Sequence, residues 1–376
     1  MNNYSFLLVK INLLQYAYNN NMENKKSKSI VLTGGGTAGH VMPNLALVPE
    51  LKKHFDKIYY FGTATGIEKE ILKSYPEIEF VEIPAVKFRR TFSFDLFLLP
   101  FKLISSIRKT KKILKELKPD IIFSKGGYVA IPVAISGRKL KIPVISHESD
   151  FSMGLANKII YHYATVMCTS FEMQQKKSKM ICTGSPVRPE ITAGRGKVQK
   201  QKLGFDSRPM ILVFGGSIGA MAINQLVWNN VQSLSKKYNI AHIVGRGNQN
   251  KSINIQNYKQ FEFVSNIQDF FAMSDIAVCR SGANTLFELI ATRLPALLIP
   301  LPKLESRGDQ IDNAKYFEKL GYFRVLEQEN ATNQKFVKEI EITLNKKDIL
   351  KKNMSNSKES SANQKIVDII ISNIKT

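Results

Sequence analysis

Residues 34–43 read GGGTAGHVMP. The apolar run Ser29-Ile30-Val31-Leu32 precedes them, and a helical pattern follows from Asn44 to about Phe55. Strand, glycine turn and helix start together form an arrangement that cradles phosphate. Glycine permits the tight turn and a close ligand approach, and the free N–H groups of the helix point at the anion. Gly34, Gly36 and Gly39 also fit the G-x-G-x-x-G spacing of dinucleotide-binding units. Such a unit needs an acid at the end of the next strand to hold the ribose hydroxyls. Here the next strand, 57–61, ends in Gly62-Thr63, and the first acid after it, Glu68, already falls in a helical pattern. A nicotinamide dehydrogenase is therefore disfavoured. The loop offers His40 instead, one residue past the last glycine. The positive end of a helix dipole keeps an adjacent imidazole neutral, the form a general base requires.

The pattern around this turn repeats. Strand candidates lie at 30–32, 58–61, 80–83, 121–123, 144–146, 166–169 and 180–183, with helical patterns between most of them. A second series lies at 210–214, 240–244, 261–264, 276–279, 296–300 and 323–326. Alternation of this kind argues for parallel sheets covered by helices on both faces. A chain of 376 residues suits two such domains. The expected division is a loose tail at 1–28, a first domain at 29–190, a second at 191–355, and a closing helix within 356–376 that packs back on the first domain. The expected fold class is α/β, two doubly wound parallel-sheet domains with a cleft between them, and ligands beyond the C-terminal strand ends.

The formal charge is +23 and the pI near 9.7, which favours polyanions: nucleic acid, anionic lipid or phosphorylated substrates. Three widely spaced cysteines suggest neither a disulfide framework nor a zinc site, and fit a reducing compartment. The apolar runs fall short of the roughly 20 residues needed to cross a bilayer. The stretch from Lys87 to Leu103, KFRRTFSFDLFLLPFKL, sets phenylalanines and leucines among Lys87, Arg89, Arg90 and Lys102, and a basic helix follows. Read as an irregular loop, it suits insertion at an anionic membrane surface, whereas the plainer alternative is a core loop beside a solvated helix. Nucleic acid is not expected as a partner, because the aromatics cluster with leucines and no recognition motif appears.

Four further segments carry polar chemistry. Strand 210–214 runs into Gly215-Gly216-Ser217-Ile218-Gly219-Ala220, a second anion-binding turn to which Ser217 adds a hydroxyl. Strand 276–279 ends at Arg280-Ser281-Gly282, and a helix starts near Ala283 whose N–H groups can hold a diphosphate. Glu288, about a turn on, can accept both hydroxyls of a ribose, or simply complement the helix dipole. Gln310, in Asp309-Gln310-Ile311-Asp312-Asn313-Ala314, can donate to and accept from sugar hydroxyls. The run 142–150, IPVISHESD, presents His147 and Glu148, each either catalytic or a satisfied structural polar group.

Taken in order, GGGTAGHVMP (34–43), HESDFSMGLANK (147–158), GGSIGA with Asn224, and RSGANTLFELIATRLPALLIP (280–300) with DQIDNA (309–314) resemble the bacterial MurG family. This is the membrane-associated N-acetylglucosaminyltransferase family of peptidoglycan synthesis, and the resemblance runs from about Ile30 to the C-terminus. It implies a GT-B fold, UDP-N-acetylglucosamine as donor, undecaprenyl-pyrophosphoryl-muramyl-pentapeptide as acceptor, and inversion at the anomeric carbon. It implies a peripheral position on the cytoplasmic face of the cell membrane, and neither cofactor nor fixed metal. Carried onto this sequence, it implies His40 as the base for the attacking 4-hydroxyl. Ile267 would pack by the uracil and Glu288 hold the ribose. Ser217 and the helix start through Ala283, Asn284, Thr285, Leu286 and Phe287 would hold the diphosphate, and Gln310 would face the sugar. Thr37, Ala38, Gly39, Asp150 and Arg188 would close on the donor from the first domain.

The sequence departs from the family pattern at four positions. Ser149, Asp150, Ile218 and Ile311 stand where Gln, Asn, Gln and Gln are usual. An ionised aspartate accepts hydrogen bonds but donates none, so Asp150 could hold a sugar hydroxyl or share the base role, but could not donate to a phosphate. The nearest competing function is another GT-B UDP-sugar transferase acting on a lipid such as diacylglycerol.

Overall fold

The computed structural model describes residues 27–86, 95–172, 178–216, 219–355, 357 and 361–375, with residues 95–98 described by their backbone alone. Residues 1–26 of the tail expected at 1–28, residues 87–94 of the basic apolar stretch, and Ser217 with Ile218 lie outside the described residues.

Short β-branched and aromatic runs form two parallel sheets. The first contains β1 (Ser29–Thr33), β2 (Lys57–Gly62), β3 (Glu79–Glu82), β4 (Ile121–Ser124), β5 (Val144–Glu148), β6 (Val166–Thr169) and β7 (Met180–Cys182). Its order is β3-β2-β1-β4-β5-β6-β7. The second contains β8 (Met210–Phe214), β9 (Asn239–Ile243), β10 (Tyr258–Phe261), β11 (Ile276–Cys279), β12 (Ala296–Leu298) and β13 (Arg324–Val325), in the order β10-β9-β8-β11-β12-β13. All five residues of β1 and of β8 are buried, as a strand covered on both faces requires. Alternate side chains feed two cores: Ile30 and Leu32 point to one face of the first sheet, Val31 to the other. In the second sheet Met210, Leu212 and Phe214 part from Ile211 and Val213 in the same way.

The strand order reverses between β1 and β4 in the first sheet and between β8 and β11 in the second. At such switch points the loops diverge and leave a crevice beyond the strand ends. The turn GGGTAGH follows β1, Lys125-Gly126-Gly127 follows β4, Gly215 and Gly216 follow β8, and Arg280-Ser281-Gly282 follows β11.

Three elements differ from their sequence reading. The helix expected from Asn44 to about Phe55 starts earlier, as Ala38–Leu45, and breaks before a single turn at Val48–Leu51. Pro49, which prefers the first turn of a helix, marks the restart. Strand β10 lies at Tyr258–Phe261 rather than 261–264, because its pairing with β9 runs from Tyr258 beside Ile240 to Phe261 beside Ile243 and ends there. From Asp95 the basic apolar stretch is helix, Asp95–Leu117, rather than irregular loop. Leu103, Ile107, Leu114 and Leu117 recur at helical spacing and pack on the first sheet, and this stripe draws the preceding residues into the helix.

The domains meet through an aromatic contact. Phe171, 1% exposed, lies 5.5 Å from Phe287 and 5.1 Å from Tyr316, ring centre to ring centre. The last helix, Ala362–Ser372, lies against the first sheet's helices, with Ile366, Val367 and Ile370 in that core. Asn363 anchors it, accepting from Val187 N (3.0 Å) and donating to Ala46 O (3.1 Å).

Candidate active site

The turn after β1 is fixed from beneath. Tyr60 Oη donates to Gly34 O at 2.5 Å, and Asn44 Nδ2 donates to Thr33 O at 3.2 Å. Gly36, at φ +88°, lies where an added Cβ would come 2.7 Å from the Tyr128 ring, so no side chain fits there. Glu68 does not reach outward as a ribose acid would. It is fully buried, and its carboxylate accepts from Thr63 N (2.9 Å), Thr63 Oγ1 (2.8 Å) and Gly36 N (3.3 Å).

This scaffold delivers His40, the third residue of the Ala38–Leu45 helix, to the cleft half-buried, with Nδ1 2.9 Å from Thr37 Oγ1. A proton on Nδ1, donated to Thr37, leaves the lone pair on Nε2. The imidazole is held down to about 4, first by burial, then by the charges of Lys125 and Arg307, with Glu68 opposing. The neutral form expected from the helix dipole is thus secured mainly by burial and two cations.

His40 lines a cavity of about 260 Å³ together with Thr37, Gly39, Lys125, Glu148, Ser149, Asp150, Gly282, Ala283, Asn284 and Thr285. The Ala283–Thr292 helix therefore faces His40 across the domain boundary, and Asn284 Nδ2 bridges the gap to Gly39 O at 2.9 Å. The first amides of a helix have no partner within it. The helical ladder begins at Leu286, whose N–H donates to Gly282 O at 3.1 Å. Leu286 and Phe287 are buried in the second core, so the residues of this helix start that line the cavity are Ala283, Asn284 and Thr285.

Gly282 and Thr285 also border a larger cavity of about 610 Å³, lined by Gly215, Gly216, Gly219, Arg280, Glu305 and Gln310. Gly219, at φ +83°, is pressed so close to Val244 O that an added Cβ would lie 2.2 Å from it. Arg280 donates to Ile299 O (3.0 Å) and Pro300 O (3.1 Å), which holds its guanidinium at this wall. Gln310 Oε1 accepts from Leu301 N at 3.1 Å. Ile267 opens the Ile267–Met273 helix and packs against the second core.

Two expected residues are already engaged. Glu288 Oε1 accepts from Arg188 Nε (2.9 Å) and NH2 (2.8 Å), an ion pair from the linker to the second domain. Burial pushes the Glu288 carboxyl up, and Arg188 opposes the shift. Asp150 Oδ1 accepts from Asn313 Nδ2 (3.1 Å), and Arg307 NH2 lies 3.3 Å from Oδ2. Burial and the neighbouring charges of Glu148 and Asp309 raise Asp150 to about 6 against these two donors. Asp150 therefore bridges the two domains as a hydrogen-bond acceptor.

His147 and Glu148 resolve as structural groups. His147 is fully buried with Nε2 2.9 Å from Gly184 O. The Glu148 carboxylate accepts from Asp150 N, Gly154 N and Asn157 Nδ2, each at 3.0 Å. Lys125, Arg307 and Asn313 escaped sequence reading. The signal for Lys125 was a lysine followed by two glycines at the end of a strand; Asn313 lay inside the DQIDNA run with no role assigned to it, and Arg307 carried no signal beyond its nearness to that run.

Two parallel-sheet domains with glycine turns and a helix start facing one cleft are the GT-B architecture, and the family matches make this chain a glycosyltransferase. Residues 30–169 match the glycosyltransferase family 28 N-terminal domain and residues 210–369 its C-terminal domain. A curated relative from Clostridium tetani (strain Massachusetts / E88) is 44% identical over 349 residues, covering 91% of this chain and 97% of the relative. It is named UDP-N-acetylglucosamine--N-acetylmuramyl-(pentapeptide) pyrophosphoryl-undecaprenol N-acetylglucosamine transferase, as is a 44% identical relative from Clostridium botulinum (strain Hall) that covers 91% of this chain and 98% of its own. The crystal structure of Acinetobacter baumannii MurG superposes with a TM-score of 0.72 at 25% identity, over 92% of this chain and 99% of that one. The glycosyltransferase of kitacinnamycin, at 13% identity and a TM-score of 0.69, shares the fold. The chain belongs to glycosyltransferase family 28 and, within it, to the MurG family.

Proposed function

We propose that this enzyme transfers N-acetylglucosamine from UDP-N-acetylglucosamine to the 4-hydroxyl of a polyprenyl-pyrophosphoryl muramyl pentapeptide, with inversion. The observation that carries the reading is the cavity in which His40 faces the free amides of the Ala283–Thr292 helix. A base and a diphosphate site on opposite walls are what a single displacement needs. The acceptor oxygen attacks the anomeric carbon, the bond from that carbon to the β-phosphate oxygen breaks, and UDP leaves. Nε2 of His40 takes the hydroxyl proton. The amides of Ala283, Asn284 and Thr285, with the turn at 215–219 and Ser217, stabilise the charge on the departing diphosphate.

In this reading the larger cavity takes the nucleotide sugar, with Gln310 at the sugar and Ile267 by the uracil. Glu288 turns from Arg188 to the ribose hydroxyls, which frees the guanidinium for the diphosphate. Thr37, Ala38, Gly39 and Asp150 form the first-domain wall. The acceptor head is presented at a membrane, and docking falls to the stretch from Lys87 to Leu103 and the helix that continues it. Phe101 is 71% and Ile104 47% exposed on that helix, beside Lys102 and Arg108. Among the described residues no helix is long and apolar enough to cross a membrane. The enzyme would therefore sit peripherally, on the cytoplasmic face where UDP-sugars are available.

The test is UDP release by detergent-solubilised protein with UDP-N-acetylglucosamine, with and without a short-chain analogue of the lipid-linked acceptor. Release that depends on the analogue is expected. Release with UDP-glucose and diacylglycerol instead would keep the fold and move the activity to lipid glycosylation.

A further inference from the structure

Lys125 follows β4 and is 1% exposed, yet it forms part of the wall of the cavity that holds His40. Burying an ammonium costs several kcal/mol (order of magnitude) unless partners compensate. Its hydrogen-bond partners are His147 Nδ1 at 2.6 Å and Ser149 Oγ at 2.7 Å, and neither is a carboxylate. With Nε2–H of His147 given to Gly184 O, Nδ1 is left as an acceptor and Lys125 is the donor. Gly34 packs between the two backbones, since a Cβ added to it would lie 3.1 Å from Lys125 Cβ and 3.0 Å from the main-chain O of His40, and both residues line the same cavity.

We propose that Lys125 is a positioning residue for the transfer: its buried ammonium, on the wall of the cavity that His40 also lines, favours the neutral imidazole that accepts the hydroxyl proton, and its bond to His147 ties this side of the cavity to the linker at Gly184. The inference rests on the reading of His40 as the base. The charged groups that face His40 are Lys125 and Arg307, which oppose its protonation, and Glu68, which favours it. Those that face Lys125 are Glu148, Asp150 and Cys168, with His147 in contact. Burial draws Lys125 down to about 7. It is therefore charged throughout the more acidic range in which an imidazole titrates, and its field on His40 is fully present there. Removing that charge makes His40 easier to protonate, so the acid limb of the rate profile moves to higher pH.

The experiment measures kcat/KM for the acceptor analogue between pH 3.5 and 8 in wild type, Lys125→Met and Lys125→Arg, with calorimetric binding of UDP-N-acetylglucosamine as the check on folding. The Met variant is expected to raise the acid limb by about one pH unit or more. The Arg variant, which keeps the charge, is expected to leave the limb near its wild-type place. A Met variant that binds donor normally and titrates as wild type overturns the inference. If that variant does not fold, the imidazole 15N resonance of wild-type His40, identified by its loss in His40→Gln, decides. The same resonance is followed in Lys125→Gln: a His40 titration moved to higher pH supports the inference, and one unchanged from wild type overturns it. A wild-type protein that releases no UDP with any acceptor strikes the proposed reaction instead, and leaves the resonance titration to judge Lys125.

Discussion

His40 combines a short lever to the helix start with a hydroxyl partner in Thr37, and substitution should separate chemistry from binding. His40→Gln is expected to lower kcat by about 10²–10⁴-fold while calorimetric affinity for UDP-N-acetylglucosamine stays within a factor of about two. Turnover near that of wild type would remove His40 from the base role. In the wild type, an imidazole held near 4 stays neutral as pH falls through 6.5, so activity should persist below the ordinary imidazole range. The position of this residue could be read from the sequence, because a histidine just past a glycine turn lies at a helix start whatever the rest of the fold. The cause of its neutrality could not, because Lys125 and Arg307 reach it from distant parts of the chain. The same holds for Glu288: its place on the helix was legible, whereas the pairing with Arg188, a hundred positions earlier, depends on how the linker crosses the cleft.

Strands were the most legible elements, since buried parallel strands are written as unbroken apolar runs between glycine and polar punctuation. The edge strand β10 was displaced by three residues because its limits are set by its neighbour rather than by its own composition. Helix starts proved harder, since Gly39 is a poor helix former and the turn around it is held by a contact from the other domain, Asn284 Nδ2 to Gly39 O. Among the turns, that of the second domain should tolerate least. Gly219→Ala places a methyl against Val244 O at a left-handed φ, and is expected to cost at least about 1–3 kcal/mol. A fall in thermal midpoint with weakened UDP binding would bear this out, and an unchanged midpoint would show that the turn relaxes freely.

Across the whole molecule, Phe171, with Phe151 beside it, carries first-domain aromatic surface into the core of the second. Phe171→Ala empties the contact with Phe287, Tyr316 and Phe317, and about 3–5 kcal/mol of destabilisation is expected from urea unfolding. A loss under about 1 kcal/mol would mean that the domains are held mainly by their polar bridges. The net charge of +23 sets a second expectation. Sedimentation with phosphatidylglycerol vesicles should exceed that with phosphatidylcholine, and should fall several-fold between 0.1 and 0.5 M salt as the screening length shrinks from about 10 Å. Binding indifferent to both headgroup and salt would remove the electrostatic part of the docking argument. The last helix carries a further implication, because Ile366, Val367 and Ile370 complete the core built around Ile30 and Leu32. On the ribosome the first domain is made early, yet one of its apolar faces stays uncovered until residue 370 has left the exit tunnel. Through the translation of nearly two hundred residues that face is open to chaperones and to other nascent chains, so slowing synthesis of the second domain should lower soluble yield even though the first is already whole in sequence.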